Sequence, residues 1–495
     1  MSASKPATPA VNSSGEVVAR LFHRALAAVF LIAWLSLGRQ VLLLVGRRGL
    51  LPLADFVAAA GAEHALSFGR FPSVLVWAPT DGMLLGGCVA GVVLSLLALF
   101  GVRPRLCAAA QTLWYLGYVT ACRGFLGFQW DNLLLECGFL AAFLSVERPA
   151  PLARLLMRAV LFKLYFESGL AKWQSPLHDW QDGSAMTFYY ETAPLPTALA
   201  WYAHHLPRWW HLFESRATLA IELVLPFAIF GPRRARLLSA ALFTLFQIIN
   251  AATANYGFFC YLATALHLFL LEDSDVRALG GLFRRFRLFT PRPPAGEASS
   301  ASRSAARMHC VAARTGAAAW ILLSLSEAWF TFGEPGPAGQ PLLPLLQLSQ
   351  TFRVVNTYHL FAAVTRERVE PEFQVQAHAD GPWIPYHLHY KPGPTTRSPP
   401  FVAPHQPRAD FLLWFYGLGW NRRPPSYVSE LLARLCDEPR AMAALFDAPP
   451  PDAPVAVRVV FWDYHFSSPA DKRSTGAWWT RRQIAEGPSL TCSAP

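Results

Sequence analysis

Residues 158–173 begin with Arg158 and carry three further charged side chains, Lys163, Glu167 and Lys172, in a mostly apolar sequence. On membrane-insertion scales a charge at a helix centre costs about 3 kcal/mol, whereas a Leu or Phe contributes only about 0.5 kcal/mol in return. Three charges facing lipid would outweigh the apolar residues, so the helix either lies in the interface or turns its charges into a protein interior. Lys163 and Glu167 are four residues apart and could form an ion pair on one helix face.

Two further acidic residues, Glu136 and Glu222, lie in other apolar segments, and the segment of Glu136 opens with Trp130-Asp131-Asn132, which is typical of a helix N-terminus. We predict that Glu136 and Glu222 meet Lys163 and Glu167 in a polar seam inside a helix bundle, because a charge within a membrane needs a partner. Packing between helices is one explanation of this seam. A ligand or client role is the other, including chemistry in which Lys163 acts as a desolvated base.

The stretch 173–216 is rich in Tyr, Trp and His and supplies a second group of candidates. Its candidate contacts for a client or a ligand are Tyr189, Tyr190, Glu191, His204 and His205. Adjacent His204 and His205 would point to different faces of a helix, which is poor geometry for a two-His metal site. Because the sequence has no GxSxG, HExxH, P-loop or GxGxxG motif, we predict no catalytic residue, metal or cofactor.

The composition predicts a membrane protein. Of 495 residues, 53% are hydrophobic and 15% charged, whereas soluble domains carry about 25% charged residues. The net charge of +11 comes from Arg residues beside apolar stretches, which favours cytoplasmic anchoring and contact with anionic lipid over nucleic-acid binding. The eight Cys residues show no CxxC or Cys/His metal spacing, but Cys436 and Cys492 in the tail could pair.

The apolar stretches, which include about 132–146 and 217–231, predict a membrane all-α bundle of seven to nine transmembrane helices. Period-two alternation over 372–377, 383–390 and 455–464 predicts a small, mostly β soluble C-terminal domain, with a hairpin turn at Asp380-Gly381. The predicted regions are a disordered N-terminus (1–20), a multi-pass transmembrane domain (21–335) with an outer loop (173–216) and a cytoplasmic linker (272–310), an interfacial segment (336–364) and the β-rich domain (365–495).

The arginine distribution predicts the orientation of the bundle. Arg residues are concentrated in alternate loops, above all in 272–310. Cytoplasmic loops carry an excess of Lys and Arg, so these loops are expected inside. The loop 173–216 and the domain 365–495 would then lie on the lumenal or periplasmic side, where they could meet secreted proteins.

Long sequence motifs resemble those of the lipase maturation factors, over nearly the whole chain from about residue 15 to 482. The matching runs are Gln129-Trp-Asp-Asn-Leu-Leu-Leu-Glu-Cys-Gly-Phe-Leu, Phe162-Lys163 through Ser168-Gly169 to Lys172, Thr187-Phe-Tyr-Tyr-Glu-Thr-Ala-Pro-Leu-Pro-Thr, Trp201-Tyr-Ala-His-His-Leu-Pro, Asn255-Tyr-Gly-Phe-Phe, Phe352-Arg-Val-Val-Asn-Thr-Tyr-His-Leu-Phe, Tyr390-Lys-Pro-Gly, Pro404-His-Gln-Pro-Arg-Ala-Asp and Trp414-Phe415. The membrane part is also distantly similar to the bundle of vitamin K-dependent carboxylase-like proteins.

The first resemblance implies a multi-pass protein that assists the folding, assembly or maturation of secreted proteins such as lipases, in the endoplasmic reticulum membrane of animals. It implies secreted clients and membrane lipid as partners, and it favours a maturation factor over an enzyme. The weaker resemblance leaves a second hypothesis, a membrane enzyme acting on a lipid or a secreted protein. This chain departs from the family in being rich in Arg, Ala and Pro. A bacterial source would explain that and would place the protein in the inner membrane.

Overall fold

The computed structural model describes residues 15–62, 67–147, 149–282, 303–449 and 454–492. Most of the predicted disordered N-terminus (1–20) lies outside the described residues, but the prediction is wrong for 16–20, which are helical. Within these ranges the chain is mostly helical, with a four-stranded sheet in the C-terminal region. The helices before the sheet are α1 (Glu16–Gly38), α2 (Val41–Val45), α3 (Leu53–Ala62), α4 (Asp81–Leu99), α5 (Pro104–Ala121), α6 (Gln129–Phe143), α7 (Pro151–Trp173), α8 (Asp179–Asp182), α9 (Ala185–Thr192), α10 (Ala198–His204), α11 (Arg208–Leu223), α12 (Arg233–Thr253), α13 (Phe259–His267), α14 (Asp273–Leu282), α15 (Arg303–Phe332), α16 (Gly336–Gly339) and α17 (Leu343–Phe352).

Helix α1 lies at the centre of the first half of the bundle, against α4, α5, α6 and α13. Its Trp34 ring stands edge-on to the rings of Tyr115 and Tyr118 of α5, with centroids 5.2 and 5.1 Å away. Gly91 of α4 leaves room for that ring, because a Cβ there would lie 2.3 Å from the Trp34 side chain. The aromatic residues of α1 and α5 are therefore packed between helices.

Three of the described helices, α1, α4 and α12, are long and apolar enough to cross a membrane, so the predicted number of seven to nine is not confirmed. The predicted span at 132–146 belongs to α6, whose 15 residues rise only about 22 Å against a hydrocarbon core of about 30 Å. The predicted span at 217–231 is broken, because α11 ends at Leu223 and a 3₁₀ turn containing Pro226 follows.

The C-terminal sheet is antiparallel, with the strand order β2-β1-β3-β4. The predicted hairpin is confirmed, since β1 (Val369–Gln376) pairs with β2 (Trp383–Tyr386). Strand β3 (Ala456–Phe466) lies where the alternation predicted it. Strand β4 (Trp479–Thr491) was not predicted, because its sequence is polar and contains Gly487-Pro488.

Three helices accompany the sheet: α18 (Arg408–Leu418), α19 (Ser426–Asp437) and α20 (Pro469–Thr475). The C-terminal region is therefore mixed α and β, and the prediction of a mostly β domain is wrong in that respect. Cys436 at the end of α19 and Cys492 just after β4 form a disulfide, as the sequence allowed. The covalent link fixes the last strand to the helical side of the region.

Two predicted connecting segments contain more ordered structure than expected. The predicted linker 272–310 includes α14 and the start of α15, while 283–302 lie outside the described residues. The Asp273 carboxylate of α14 accepts hydrogen bonds from the backbone N–H groups of Gly15 and Val18, which caps α1. In the predicted interfacial segment 336–364, Tyr358 is fully buried among the helices.

The bundle and the C-terminal region share one continuous apolar core. Asn255, which follows α12, holds the chain before α18: its Oδ1 accepts from Val402 N (2.7 Å) and Ala403 N (2.9 Å). Gly257 has φ +52° and admits Gln406, because a Cβ at Gly257 would lie 2.6 Å from Gln406 Oε1. Two of the family-like motifs thus meet where the C-terminal region joins the bundle.

Candidate functional site

Lys163 of α7 forms a buried ion pair with Glu136 of α6, with 2.8 Å between Nζ and Oε1. The Nζ atom also donates to Ser324 Oγ at 3.3 Å and lies 4.9 Å from the ring centroid of Trp320, both on α15. The structure brings Lys163 together with Glu136, whereas the expected i,i+4 pairing with Glu167 is not the ion pair that forms. These contacts join α6, α7 and α15, which a packing role explains.

The segment after α17 completes the environment of Glu136. Tyr358 donates its hydroxyl to Glu136 Oε2 at 2.6 Å, and Asn356 Nδ2 donates to the same oxygen at 3.3 Å. Glu167 accepts a hydrogen bond from the Tyr358 backbone N–H at 2.8 Å. Glu136, Lys163 and Glu167 therefore surround the segment around Tyr358, and the carboxylates of Glu136 and Glu167 both accept hydrogen bonds from it.

Glu222 does not join that group, because it pairs with Lys172 instead. Nζ of Lys172 lies 2.7 Å from Oε2 and 3.0 Å from Oε1 of Glu222, and both side chains are buried. The same Nζ donates to the Leu360 carbonyl at 2.7 Å and lies 5.2 Å from the Trp180 ring centroid. The predicted single seam is therefore two separate buried pairs along α7.

A third buried pair, between Asp131 and Arg408, was missed by the sequence reasoning. The Arg408 guanidinium makes two contacts of 2.7 Å, one to each Asp131 oxygen, and the Tyr115 hydroxyl donates to Oδ1 at 2.7 Å. The Arg408 backbone N–H donates to Gln40 Oε1 at 2.8 Å. We refer to Asp131, Arg408 and Tyr115 as the Asp131 contact; it fixes α18 to α5 and α6.

The structure places the outer-loop tyrosines in the interior. Tyr189 and Tyr190 are 6% and 2% exposed. Tyr189 shares a hydrogen bond with the hydroxyl of Tyr256, and Tyr190 donates to Glu214 Oε1 at 2.8 Å. The Thr187–Thr197 run therefore anchors the loop, and contact of these tyrosines with a client stays a prediction.

Glu191, His204 and His205 lie where the outer loop meets the end of β3. Glu191 Oε2 accepts from the Phe466 N–H at 2.7 Å, and Oε1 lies 2.9 Å from His465 Nδ1. His204 Nε2 lies 3.7 Å from Glu191 Oε2, and burial lowers the pKa of His204. His205 Nδ1 bonds to the carbonyl oxygen of Trp201 at 2.7 Å. These residues join the two lumen-side parts predicted from the sequence, and their contact with a client also stays a prediction.

A buried cluster of two cations and two acids connects the sheet to the chain after α9. Glu370 pairs with Arg368 at 2.7 Å and with Lys391 at 2.9 Å, and Arg368 also donates to the Ala193 carbonyl at 2.6 Å. Burial lowers the pKa of Lys391, although Glu370 acts in the opposite direction. Burial also raises the pKa of Asp410 to about 7, with Lys391 opposing that rise.

An aromatic groove runs along the junction of α6 with α18, and we define it by Phe128, Trp130, Phe411, Trp414 and Phe415. The Phe128 ring stacks on Trp130 at 5.1 Å, and Phe411 stands edge-on to Phe128 at 4.9 Å. Phe415 is 44% exposed. Because the Asp131 contact fixes both helices, the aromatic groove is a firmly held surface with an open side, and polar residues such as Asn132, Gln350 and Arg353 face its rings.

The fold and the buried contacts define a helical membrane protein whose C-terminal region is built into its bundle. The model of the lipase maturation factor transmembrane domain matches residues 17–278, and that of the lipase maturation factor C-terminal domain matches residues 354–488. The chain therefore belongs to the lipase maturation factor family, as the motifs indicated.

Similar proteins extend along most of the chain. Lipase maturation factor 2 of Homo sapiens is 29% identical, covering 96% of this chain and 83% of that protein. Lipase maturation factor 1 of Bos taurus is 30% identical, covering 93% of this chain and 86% of that protein. Lipase maturation factor 1 of Mus musculus is also 30% identical, covering 93% and 84%. No solved structure matches the chain.

Proposed function

We propose that this protein is a membrane-bound maturation factor that assists the folding or assembly of secreted lipases. The observation that carries the proposal is the match to lipase maturation factors along both the bundle and the C-terminal region. The Asp131 contact joins those two parts directly. The names of the relatives favour this role over the alternative of a membrane enzyme.

The working surface is the lumenal or periplasmic side, in the endoplasmic reticulum membrane or, for a bacterial source, in the inner membrane. Two observations support this multi-pass orientation. The arginine distribution predicts that the C-terminal region lies outside the cytosol. The disulfide between Cys436 and Cys492 supports the same placement, because disulfides persist in oxidising compartments.

The aromatic groove is the surface we assign to the client. Partly folded secreted proteins expose apolar segments, and interface cores are enriched in aromatic residues. Phe415 offers an exposed ring at the edge of the groove, while Trp414 donates its indole N–H to the Thr192 carbonyl at 3.1 Å and is thereby fixed. A fixed aromatic surface binds an apolar segment with little loss of side-chain entropy.

Co-expression with a secreted lipase tests the proposal. We expect the full chain to raise the yield of active lipase, and Phe415→Ser to reduce that gain several-fold, since truncation of an aromatic contact costs about 1 kcal/mol or more in an interface. The amount of the membrane protein should be unchanged, because Phe415 is partly exposed.

The matched control is Phe401→Ser, which removes an exposed ring from the same region but outside the groove, at 63% exposure. It should leave lipase yield unchanged. Equal effects of the two variants would contradict the assignment of the groove, and no gain in active lipase with the unmodified chain would contradict the maturation role itself.

A further inference from the structure

A cavity of about 320 Å³ lies between α7, α11 and α12, and we call it the membrane-side cavity. Its volume is within the range of small-molecule sites, about 300–1,000 Å³. The residues that decide its chemistry are Tyr165, Lys172, Tyr189, Glu222 and Gln247. Two predicted seam and loop candidates, Glu222 and Tyr189, therefore belong to the wall of one cavity.

The mouth of the membrane-side cavity faces the side that lipid would occupy. Phe213, Leu245 and Ile249 line it and are 55%, 54% and 45% exposed. Helix α12 is one of the three described helices apolar enough to span a membrane, and only 22% of its apolar stretch is buried. Exposed apolar residues on such a helix contact acyl chains, so a ligand can enter from the bilayer.

The inner end of the cavity holds an amide with unused hydrogen-bonding capacity. Gln247 is 3% exposed and donates to the Tyr165 hydroxyl at 2.9 Å. Its Oε1 atom has no hydrogen-bond partner among the described residues. A buried polar atom without a partner is unfavourable, and a ligand group at this place would remove that penalty.

The charge balance of the wall selects an uncharged ligand. Lys172 and Glu222 are both buried and neutralise each other at 2.7 Å, and Glu214, the other acid of the wall, lies 3.2 Å from His211 Nδ1. An anionic or zwitterionic head group would have to compete with that pair in an apolar surrounding, which is costly. A hydroxyl group has no such requirement, and it can donate to an amide oxygen or accept from an amide nitrogen.

We propose that the membrane-side cavity binds an uncharged lipid alcohol, with its hydroxyl on the Gln247 amide and its hydrocarbon part extending between α11 and α12 into the bilayer. Sterols and monoacylglycerols share this chemistry. The site does not rest on the maturation role, because no client contact is needed to form it.

Photo-crosslinking of the full chain in nanodiscs tests the site. The probes are a photoactivatable sterol, a photoactivatable monoacylglycerol and, as the zwitterionic control, a photoactivatable phosphatidylcholine. We expect one of the two alcohols to label peptides of α7, α11 or α12, and the phospholipid to label them at least about tenfold less. Which alcohol labels the protein identifies the source of the ligand.

Two substitutions locate the binding. Ala217→Phe fills the cavity and should reduce labelling about tenfold, whereas Ala220→Phe, on the exposed side of the same helix, should leave it within about twofold. Gln247→Leu removes the amide at similar volume and should reduce labelling about fivefold, which keeps the test valid if Ala217→Phe does not fold. Labelling that is unchanged by both cavity substitutions, or strongest with the phospholipid, would overturn the proposal.

Discussion

The Asp131 contact and the Lys172–Glu222 pair are both buried ion pairs, but they have different surroundings. In the Asp131 contact a guanidinium meets both carboxylate oxygens at 2.7 Å, and a tyrosine hydroxyl adds a further donor. The Lys172–Glu222 pair lies on the wall of the membrane-side cavity. The Asp131 contact therefore joins the bundle to the C-terminal region, whereas the Lys172–Glu222 pair lines a cavity.

This difference decides what happens when one partner is lost. A charge left alone in a close-packed interior has no replacement partner, whereas a charge beside a cavity can be reached by water or by a ligand group. Breaking the first pair should therefore destabilise the protein far more than breaking the second. The predictions below test that ranking.

Arg408→Met should have the largest effect. It leaves the fully buried Asp131 carboxylate without its cation, which destabilises folded proteins by about 3–5 kcal/mol. The expected result is a large drop in the yield of monodisperse protein in detergent and in Tm. Adding Asp131→Asn should recover part of the loss, because the orphaned charge is gone. An Arg408→Met protein as stable as the original would show that α18 is not held by this pair.

Lys172→Met should cost less, about 2 kcal/mol, because Glu222 borders the membrane-side cavity. Thermal unfolding of both variants in one detergent measures the comparison directly. Glu222→Gln is the matched substitution on the other side of the pair and should give a similar small decrease. A loss equal to that of Arg408→Met would mean that the cavity is closed to water and ligand, and the distinction between the two pairs would fail.

The sequence identified part of this arrangement from local physics. Glu136 and Lys163 were selected because a charge in an apolar helix needs a partner, and they do pair. Spacing alone suggested Glu167 as the partner of Lys163, since residues four apart lie on the same face of a helix. The partner is Glu136, which belongs to another helix, and the periodicity of one helix does not indicate which residues of another helix it contacts.

The Asp131 contact shows the same limit more strongly. Asp131 fits a helix N-terminus, and it does accept backbone N–H groups of Gly127 and Phe128 at 3.1 and 3.2 Å. Its second role depends on Arg408, which is 277 residues away in the chain. The signal that could have found it was the presence of both residues in family-like motifs, where a charge stands between apolar or aromatic neighbours.

Asp410 offers a second comparison with Asp131. Both carboxylates are buried, but Asp131 has Arg408 as its ion-pair partner, whereas Lys391, the cation near Asp410, pairs with Glu370. Burial raises the pKa of Asp410 to about 7, so folding disfavours its ionised form. Stability should therefore fall as pH rises from the unfolded pKa of about 4 toward 8. Between pH 6 and 8 the original protein should lose about 1 kcal/mol relative to Asp410→Asn, in which this titration is absent. A constant difference in Tm across that range would contradict the shift.

His465→Asn should have the smallest effect, since the ion pair of His465 with Glu191 is partly in solvent. Burial lowers the pKa of His465, but Glu191 and Asp463 together outweigh that effect and raise it. The folded-state pKa is the higher one, so the stabilisation is present below the unfolded value of about 6.5 and disappears as pH rises through the folded value. His465 is 51% exposed, so the loss at pH 5.5 should be below about 1 kcal/mol and near zero at pH 8.5. Chemical unfolding of the original protein and of His465→Asn at the two pH values measures this loss of stability. A loss as large as that of Lys172→Met would show that solvent exposure does not set the ranking of these ion pairs.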